Sequence, residues 1–296
     1  MAAPFRCVFP MSQKGQPAYC QPALVCLFLA VVSASLAATR SAAGQEGLRL
    51  STLEEVGAEF KSVPCKNKER QAAARALFER MGAPAADISI EKYRGVENLV
   101  LVKKGTTDEK IVVGAHYDKV DKGCGALDNW TGIVAIAHIY RSLASVKSNK
   151  TLLFVAFGRE EEGLVGSSAM ASRIDKAQAA QYCAMINIDT LGLSIPQVAD
   201  NMSSKKLEEL AESVAKELKI QFGHASIPGA STDSVAFANK KIPAVEIHAM
   251  TNNWMSILHT DNDQPAKVNA TSVYLGYRLA LAMIVRVDGS SCNAFR

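Results

Sequence analysis

Imidazole and carboxylate side chains follow three short apolar segments in the middle of this 296-residue sequence. These side chains are His116, the adjacent pair Glu160 and Glu161, and Asp189. Two more side chains of the same chemical types, Asp128 and His259, occur elsewhere in the chain. Imidazole nitrogen and carboxylate oxygen are ligand atoms that suit zinc. We therefore predict a metal site built from residues that are far apart in the sequence.

A pair of metal ions would use this set of side chains in full. Zinc takes about four ligands, and a catalytic zinc keeps one position for water or substrate. Two ions that share a bridging carboxylate therefore need two further protein ligands each. We assign His116 and Asp189 to one ion, Glu161 and His259 to the other, and the bridge to Asp128. Two metals about 3.5–4 Å apart can bind an attacking water and polarise a scissile carbonyl together.

Glu160 and Asp118 lie beside these ligands in the sequence. A carboxylate next to the activated water can act as general base, taking a proton and passing it to the leaving amine. We assign that role to Glu160. Asp118 would share a strand face with His116. It could there accept a hydrogen bond from the second ring nitrogen and hold the imidazole in place.

Each candidate also has a structural alternative. Acidic residues are favoured at helix N-termini whatever their function, and residues 160–162 directly precede a predicted helix. Asp128 could be the N-cap of the helix that follows it. A single histidine is more often structural than a ligand. His138 is predicted to pack within a helix, whereas His224 and His248 are weaker candidates for reaching the cleft.

Hydrophobic periodicity predicts the elements that position these side chains. Helices are expected at 45–62 (with Ser51 as N-cap), 66–81, 131–143, 164–173, 205–218, 232–238 and 272–287. Strands are expected at 96–102, 110–115, 152–157, 184–188 and 243–247. The turn-rich residues 104–108 suggest a hairpin between the first two strands. Apolar strands alternating with helices predict one α/β domain with a mixed, mainly parallel central sheet. Ligands bind at the carboxyl ends of such strands, so the candidate residues should converge.

The N-terminal region resembles a secretory signal peptide. Basic residues precede an apolar run at 23–38, and small residues follow it. We predict a signal peptide at 1–44 with cleavage at about 37–44, and a mature domain at 45–296; Met11 is an alternative start. The apolar run is shorter than the roughly 20 residues of a membrane span, so no stable membrane anchor is expected. The predicted localisation is secreted or periplasmic, with an uncleaved anchor as the alternative.

Most of the positive net charge lies in this leader. Its basic residues are Arg6, Lys14 and Arg40, and without them the net charge falls from +4 to +1. No nucleic-acid partner follows from so small a charge.

The cysteines after the leader could form disulfides in an exported protein. There are four of them, Cys65, Cys124, Cys183 and Cys292. They could form up to two disulfides, and their spacing leaves all three connectivities open. Cys124 is also a weak alternative metal ligand.

Six motifs together resemble the M28 family of zinc exopeptidases, of the bacterial secreted aminopeptidase type. They are GAHYD (114–118), GALDNWTG (125–132), EEEGLVGS (160–167), INIDTLG (186–192), STDSVAF (231–237) and LHTDND (258–263). The resemblance implies that His116, Asp128, Glu161, Asp189 and His259 bind two zinc ions. It also implies that Glu160 is the general base, because the family register places the base one residue before the ligand. The implied fold is a single three-layer α/β/α domain.

Two positions depart from the family pattern. Many members carry a tyrosine immediately before the last histidine, where this chain has Leu258. Another donor must replace that tyrosine, or its contribution is absent. Ser234 stands where some members have a histidine. Both changes bear on substrate side-chain preference more than on metal binding.

Three functions are compatible with these observations. The first is a zinc aminopeptidase that removes N-terminal residues from peptides or small proteins with a free N-terminus. The second is a glutaminyl cyclase that forms pyroglutamate at a single zinc, since such enzymes are similar to this family. The third is an inactive binding ectodomain. The DNWTG stretch and the uninterrupted EEEGLVGS favour the peptidase over the cyclase, and the retained ligands and base argue against the inactive ectodomain. The preferred N-terminal residue and the oligomeric state stay open.

Overall fold

The computed structural model describes residues 47–296, so the predicted signal peptide and its cleavage zone lie outside the described residues. One sheet of eight strands runs through this region. The strands are β1 Ile88–Tyr93, β2 Val96–Lys103, β3 Lys110–His116, β4 Thr151–Phe157, β5 Tyr182–Ile188, β6 Gln197–Ala199, β7 Gly223–Ala225 and β8 Ala244–His248. The helices are α1 Leu53–Ala58, α2 Asn67–Arg80, α3 Thr131–Leu143, α4 Val165–Ser172, α5 Lys176–Ala179, α6 Lys205–Leu218, α7 Asp233–Ala238 and α8 Ala270–Asp288.

The strand order across the sheet is β1-β2-β4-β3-β5-β8-β6-β7. Strands β4, β3, β5 and β8 are parallel neighbours and form the centre. Antiparallel pairing joins β1 to β2 and β2 to β4 on one side, and β6 to β8 on the other. This arrangement confirms the predicted mixed sheet with a parallel core.

Helices cover both faces of the sheet, as a three-layer fold requires. Alternate residues of β3 show this directly: Ile111 and Val113 pack into the core on one face, and Val112 packs into the core on the other. Helices α1, α2, α3, α6 and α8 contribute buried residues to the first core, and α4, α5 and α7 to the second. Because both faces are buried, most residues of the central strands are apolar.

The predicted hairpin between β2 and β3 is wrong, because β4 lies between these two strands in the sheet. Strand β2 forms its hairpin with β1 instead, and the sequence analysis missed β1. Arg94 and Gly95 connect them with positive φ angles of 47° and 81°. Two consecutive positive φ values fit the right-handed twist of a tight hairpin. The polar side chains of β1 obscured its strand pattern.

The first helix begins later than predicted and has a different N-cap. Helix α1 begins at Leu53, and Thr52 accepts from the N–H of Glu55, whose side chain accepts from the N–H of Thr52 in return. Ser51 cannot serve as the cap because its hydroxyl group contacts Nδ1 of His138 at 2.8 Å. The α-helix ends at Ala58, and a 3₁₀ turn continues to Ser62.

Two disulfides, Cys65–Cys124 and Cys183–Cys292, select one of the three possible connectivities. Helix α8 is the one helix within residues 47–296 that is long and apolar enough to cross a membrane. More than half of its apolar stretch is buried inside the protein. Its Tyr277 hydroxyl accepts from the Ser51 N–H at 3.0 Å and lies 2.7 Å from the Ser142 hydroxyl. These contacts describe a core helix.

Candidate metal centre

The candidate metal centre lies at the carboxyl ends of the parallel strands. His116 is the last residue of β3, and Asp189 directly follows β5. Glu160 and Glu161 belong to the turn after β4. Carboxyl ends of neighbouring parallel strands meet at one edge of a sheet. The fold therefore brings these side chains together, as the sequence predicts.

Two triplets of side chains approach each other closely enough to hold metal ions. Nε2 of His116 lies 3.1 Å from Oδ1 of Asp128 and 3.5 Å from Oδ1 of Asp189. Nε2 of His259 lies 3.0 Å from Oδ2 of Asp128 and 3.1 Å from Oε2 of Glu161. In each triplet the ligand atoms lie within 4.8 Å of one another. The two oxygens of Asp128 thus face two different histidines, which is the geometry of a bridging carboxylate.

Glu160 lies beside the first triplet, with Oε2 4.0 Å from Nε2 of His116. Burial raises the pKa of Glu160 to about 10, the negative charges of Asp233 and Asp189 act in the same direction, and His116 opposes them. A general base must be deprotonated at its working pH, and the positive charge of bound metal ions would oppose this rise by favouring the carboxylate form.

The electrostatics of the cluster fit a bound cation. Burial would raise the pKa of Asp128, but hydrogen bonds from His116 and His259 lower it well below its usual range. Hydrogen bonds to Asp128 and Glu161 raise the pKa of His259 to about 10. Oε1 of Glu161 is buried and has no hydrogen-bond partner within residues 47–296. Imidazole and carboxylate donors in two adjacent triplets suit two zinc ions.

Asp118 anchors the turn that carries the two glutamates. Its carboxylate accepts from the N–H groups of Glu160 at 3.0 Å and Glu161 at 3.1 Å. The contact expected with His116 is longer, with Oδ1 3.5 Å from Nδ1, and the backbone oxygen of Asp118 lies at 3.2 Å from the same nitrogen. Asp118 therefore fixes the backbone beside the site as well as facing the imidazole.

Asp263 plays a comparable part that the sequence analysis missed. Its carboxylate accepts from the N–H groups of Leu127 at 2.8 Å and Asp128 at 3.1 Å. Its backbone oxygen accepts from the N–H of Cys124 at 2.7 Å. Asp263 is the last residue of the LHTDND motif, so the motif included this residue without indicating its role. It ties the loop of His259 to the loop of Asp128.

Asn129 links the loop of Asp128 to the end of β5. Its Nδ2 donates to the backbone oxygen of Ile188 at 2.9 Å, and its Oδ1 accepts from the N–H groups of Gly132 and Thr190. Asp128 is not the N-cap of α3, because its side chain faces the two histidines and Trp130 occupies the cap position. This contradicts the structural alternative for Asp128.

Arg70 is a fully buried cation behind the ligands, and the sequence analysis missed it. Its guanidinium donates to the backbone oxygens of Tyr117, Pro64, Cys124 and Gly125. Burial lowers the pKa of Arg70 to about 10, and the charge of Asp128 opposes this most strongly. Arg70 shares the buried helix face of Ala74 and Leu77. A charged residue at such a core position is the sequence signal that would have identified it.

The surroundings of the other cysteine and histidine candidates show which of them lie near the site. Cys124 is bonded to Cys65, so it is not a metal ligand. His138 is buried in α3 as predicted. His224 is partly exposed, and its Nδ1 lies 2.7 Å from Asp200. His248, in contrast, reaches the cleft.

A cavity of about 580 Å³ opens beside the metal centre. Asp128, Glu160 and His259 contribute to its lining, together with the loop 226–232. Leu258 also lines the cavity, and no tyrosine of the described region does so. The missing family tyrosine is therefore not replaced by another tyrosine in this lining.

Comparisons with known proteins agree with this arrangement. A model of peptidase family M28 matches residues 98–284. Aminopeptidase YwaD of Bacillus subtilis is 31% identical over 151 residues, which cover 48% of this chain and 33% of that protein. The chain thus spans about a third of the length of the curated relatives it matches.

Solved structures show the same fold at low sequence identity. The LapA aminopeptidase of Legionella pneumophila has a TM-score of 0.65 at 20% identity, over 85% of this chain and 79% of that chain. A glutaminyl cyclase of an Acidobacteriales bacterium has a TM-score of 0.70 at 17% identity, over 84% of this chain and 98% of that chain. Since the family model matches more than half of the sequence, the chain belongs to peptidase family M28.

Proposed function

We propose that this protein is a zinc-dependent aminopeptidase with two metal ions. The observation that carries the proposal is the position of Asp128 between two histidines, with a second carboxylate completing each triplet. His116, Asp189, Glu161 and His259 would hold the ions, and Asp128 would bridge them. Zinc in this site would supply Lewis-acid polarisation of the scissile carbonyl and would acidify a water molecule.

Glu160 would move the proton during hydrolysis. It is mostly buried, and its side chain borders both His116 and the cavity. It would take a proton from the attacking water and donate it to the leaving amine. Asp118 would keep the Glu160 carboxylate in place through the hydrogen bond it accepts from the Glu160 backbone. Hydrolysis thus needs no proton donor beyond this one carboxyl group.

The excess of carboxylates favours a substrate with a free N-terminus. Glu160, Glu161, Asp128 and Asp189 all line the cavity. Oxygen atoms that are not used as ligands would attract the α-ammonium group of a peptide or small protein. An internal peptide segment lacks that charge, so the site favours exopeptidase action.

A glutaminyl cyclase is the second candidate, and the fold similarity to such an enzyme supports it. A single zinc would leave one histidine of this pair without a metal. The close contacts of both histidines to Asp128 favour two ions and therefore the peptidase. An inactive ectodomain would not need the complete set of ligands and the adjacent Glu160.

Export is part of the same proposal. The leader-like residues 1–44 and two disulfides both fit a secreted or periplasmic protein. The mature enzyme would then begin near residue 45.

Mass spectrometry of a peptide panel tests the proposed function. The panel contains peptides with free N-termini, their N-acetylated counterparts and glutamine-initiated peptides, each incubated with and without a chelator. We expect stepwise loss of single residues from free N-termini only, and no loss after chelation. A 17 Da loss confined to glutamine-initiated peptides, with no shortening, would instead identify a cyclase.

Two matched variants locate the base within the glutamate run. Glu160→Gln should abolish turnover while zinc content stays at the wild-type value, because it removes the proton acceptor but no assigned ligand. Glu162→Gln is the control, since Glu162 is exposed and pairs with Arg159 at 2.8 Å. Survival of turnover in Glu160→Gln would show that the base is another group.

A further inference from the structure

Part of the cavity lining beside the metal centre is polar and has no part in the proposed hydrolysis. Glu246 and His248 line this cavity, and both side chains are buried. They lie two residues apart on β8, so they face the same side of the sheet. Both residues thus border the cavity that a substrate group would enter from the metal centre.

His248 presents a hydrogen-bond donor that has no partner. Its Nδ1 accepts from the backbone N–H of Met250 at 3.3 Å, which leaves the proton of the neutral ring on Nε2. Burial lowers the pKa of His248 to about 4, so the ring is neutral at pH 7. Nε2 is buried and has no hydrogen-bond partner within residues 47–296. A buried N–H without an acceptor is costly, and a ligand that supplies one relieves the cost.

Glu246 presents acceptor oxygens on the same face of β8 as this donor. Asn187 Nδ2 donates to its carboxyl oxygens at 3.1 and 3.3 Å, and the Thr232 hydroxyl donates to Oε2. Burial and then the charge of Asp189 raise the pKa of Glu246 to about 8. Its carboxyl oxygens can accept a hydrogen bond in either protonation state. Thr232 also lines the cavity and adds a hydroxyl oxygen to the acceptors.

One donor and one acceptor together select among side-chain types. Residues two apart on a strand have Cα atoms about 6.5 Å apart, so their side chains can reach opposite ends of one planar amide. An ammonium group offers His248 no acceptor, and a carboxylate offers Glu246 no donor. An aliphatic side chain would leave Nε2 of His248 without a partner among the described residues, which disfavours its binding.

We propose that this cavity takes the side chain of the substrate's N-terminal residue and selects a carboxamide, with His248 donating to its oxygen and Glu246 accepting from its nitrogen. Asparagine and glutamine are the residues with this group. The inference rests on the proposed aminopeptidase function, and it makes Glu246 and His248 the residues that determine side-chain specificity.

Initial rates on a matched peptide series test this subsite. The series varies only the first residue, with asparagine, glutamine, leucine, lysine and glutamate, and uses the zinc-loaded full-length mature protein. We expect kcat/KM for asparagine or glutamine to exceed that for leucine at least tenfold. His248→Phe should lower this ratio at least tenfold, chiefly by reducing kcat/KM for the carboxamide substrates. His248→Gln keeps an N–H donor and should retain more of the preference than His248→Phe.

His224→Phe is the control, because His224 lies away from the cavity lining and should leave the ratio unchanged. Hydrolysis of every peptide with leucine preferred by the wild-type protein would overturn the subsite and leave the aminopeptidase intact. A carboxamide preference that His248→Phe does not change would also overturn the assignment. Absence of turnover on the whole series would overturn the proposed function and the subsite together.

Discussion

The two histidines of the metal centre make equivalent contacts in very different surroundings. His116 lies 3.1 Å from one oxygen of Asp128, and His259 lies 3.0 Å from the other. The side chain of His116 is 1% exposed, whereas that of His259 is 52% exposed. The same ligand chemistry is thus held by a rigid core on one side and by a surface loop on the other.

The buried side derives its rigidity from the sheet and from Arg70. His116 ends a central strand that pairs with strands on both sides. Arg70 binds the backbone oxygen of Tyr117 next to it, and also those of Cys124 and Gly125 before the bridging aspartate. Local opening here would expose many buried apolar contacts, so this side belongs to the stable part of the protein.

The exposed side depends on a short loop with mostly local hydrogen bonds. A 3₁₀ turn at Trp254–Ser256 precedes His259, and Met255 on this turn is 69% exposed. His259 itself has a φ of 58°, in the left-handed region that non-glycine residues rarely adopt. Asp263 anchors the end of the loop to the backbone of Asp128. We therefore expect the buried side to be the more rigid of the two and the exposed side to be the more mobile.

The largest effect should come from the residue that joins the two sides. Asp128→Ala removes the bridge and should cost both zinc ions, lowering kcat/KM by about a thousandfold or more, since metal catalysis contributes several kcal/mol. Zinc analysis and initial rates measure the two effects. Asp121→Ala, in the exposed part of the preceding loop, is the control. Retention of two zinc ions by Asp128→Ala would rule out the bridge.

Removing the cation behind the buried histidine should mainly affect stability. Arg70→Met leaves four backbone oxygens without their donor. We expect the free energy of unfolding to fall by about 3 kcal/mol, because hydrogen bonds to a charged group are strong and their loss strands buried acceptors. Urea unfolding measures this change. Arg75→Met on the partly exposed face of the same helix should cost less than about 0.5 kcal/mol; equal losses would show that Arg70 has no special role.

Replacing the Asp118 carboxylate, which holds the turn of Glu160 and Glu161, should lower the affinity for zinc. Asp118→Asn places an amide where two backbone N–H groups now meet a carboxylate. Zinc affinity should fall about 10- to 100-fold, as expected for groups that orient metal ligands. Competition with a chromogenic chelator gives the affinity, and Asp121→Asn serves as the control. An unchanged affinity would mean that the turn keeps its position without Asp118.

The smallest effect on activity and stability should come from an exposed residue at the edge of the cavity. Met255→Ser changes a residue that lines the cavity but is mostly in solvent. Stability should change by less than about 0.5 kcal/mol, and kcat/KM should shift through KM rather than kcat. Thermal unfolding and a rate series over substrate concentration test both points. A large loss of kcat would show that this edge takes part in catalysis.

Sequence patterns predicted the parallel core well because its strands are buried on both faces. Most residues of each strand in this core are apolar, and the fold places the carboxyl ends of these strands at the site. The candidate ligands converge for the same reason. The edges were harder: β6 and β7 have three residues each, and the short helix α5 has four. Segments this short carry no measurable periodicity.

The supporting contacts of the site could not be predicted, for a different physical reason. Asp263 and Arg70 act mainly through backbone groups that are more than 40 residues away in the sequence, with Pro64 as the exception for Arg70. Such contacts depend on loop conformation, and sequence periodicity does not report loop conformation. Arg159 and His259 also have positive φ angles of 57° and 58° without being glycine. Their neighbours in the fold impose this geometry.

Zinc counting in the wild-type protein and in the two histidine variants tests the two-ion centre most directly. Each purified protein is equilibrated with zinc, freed of excess metal, and analysed by inductively coupled plasma mass spectrometry. The two-ion centre predicts two zinc ions per chain in the wild type and one in each of His116→Ala and His259→Ala. A wild-type protein with one zinc, which His259→Ala loses and His116→Ala keeps, would contradict it.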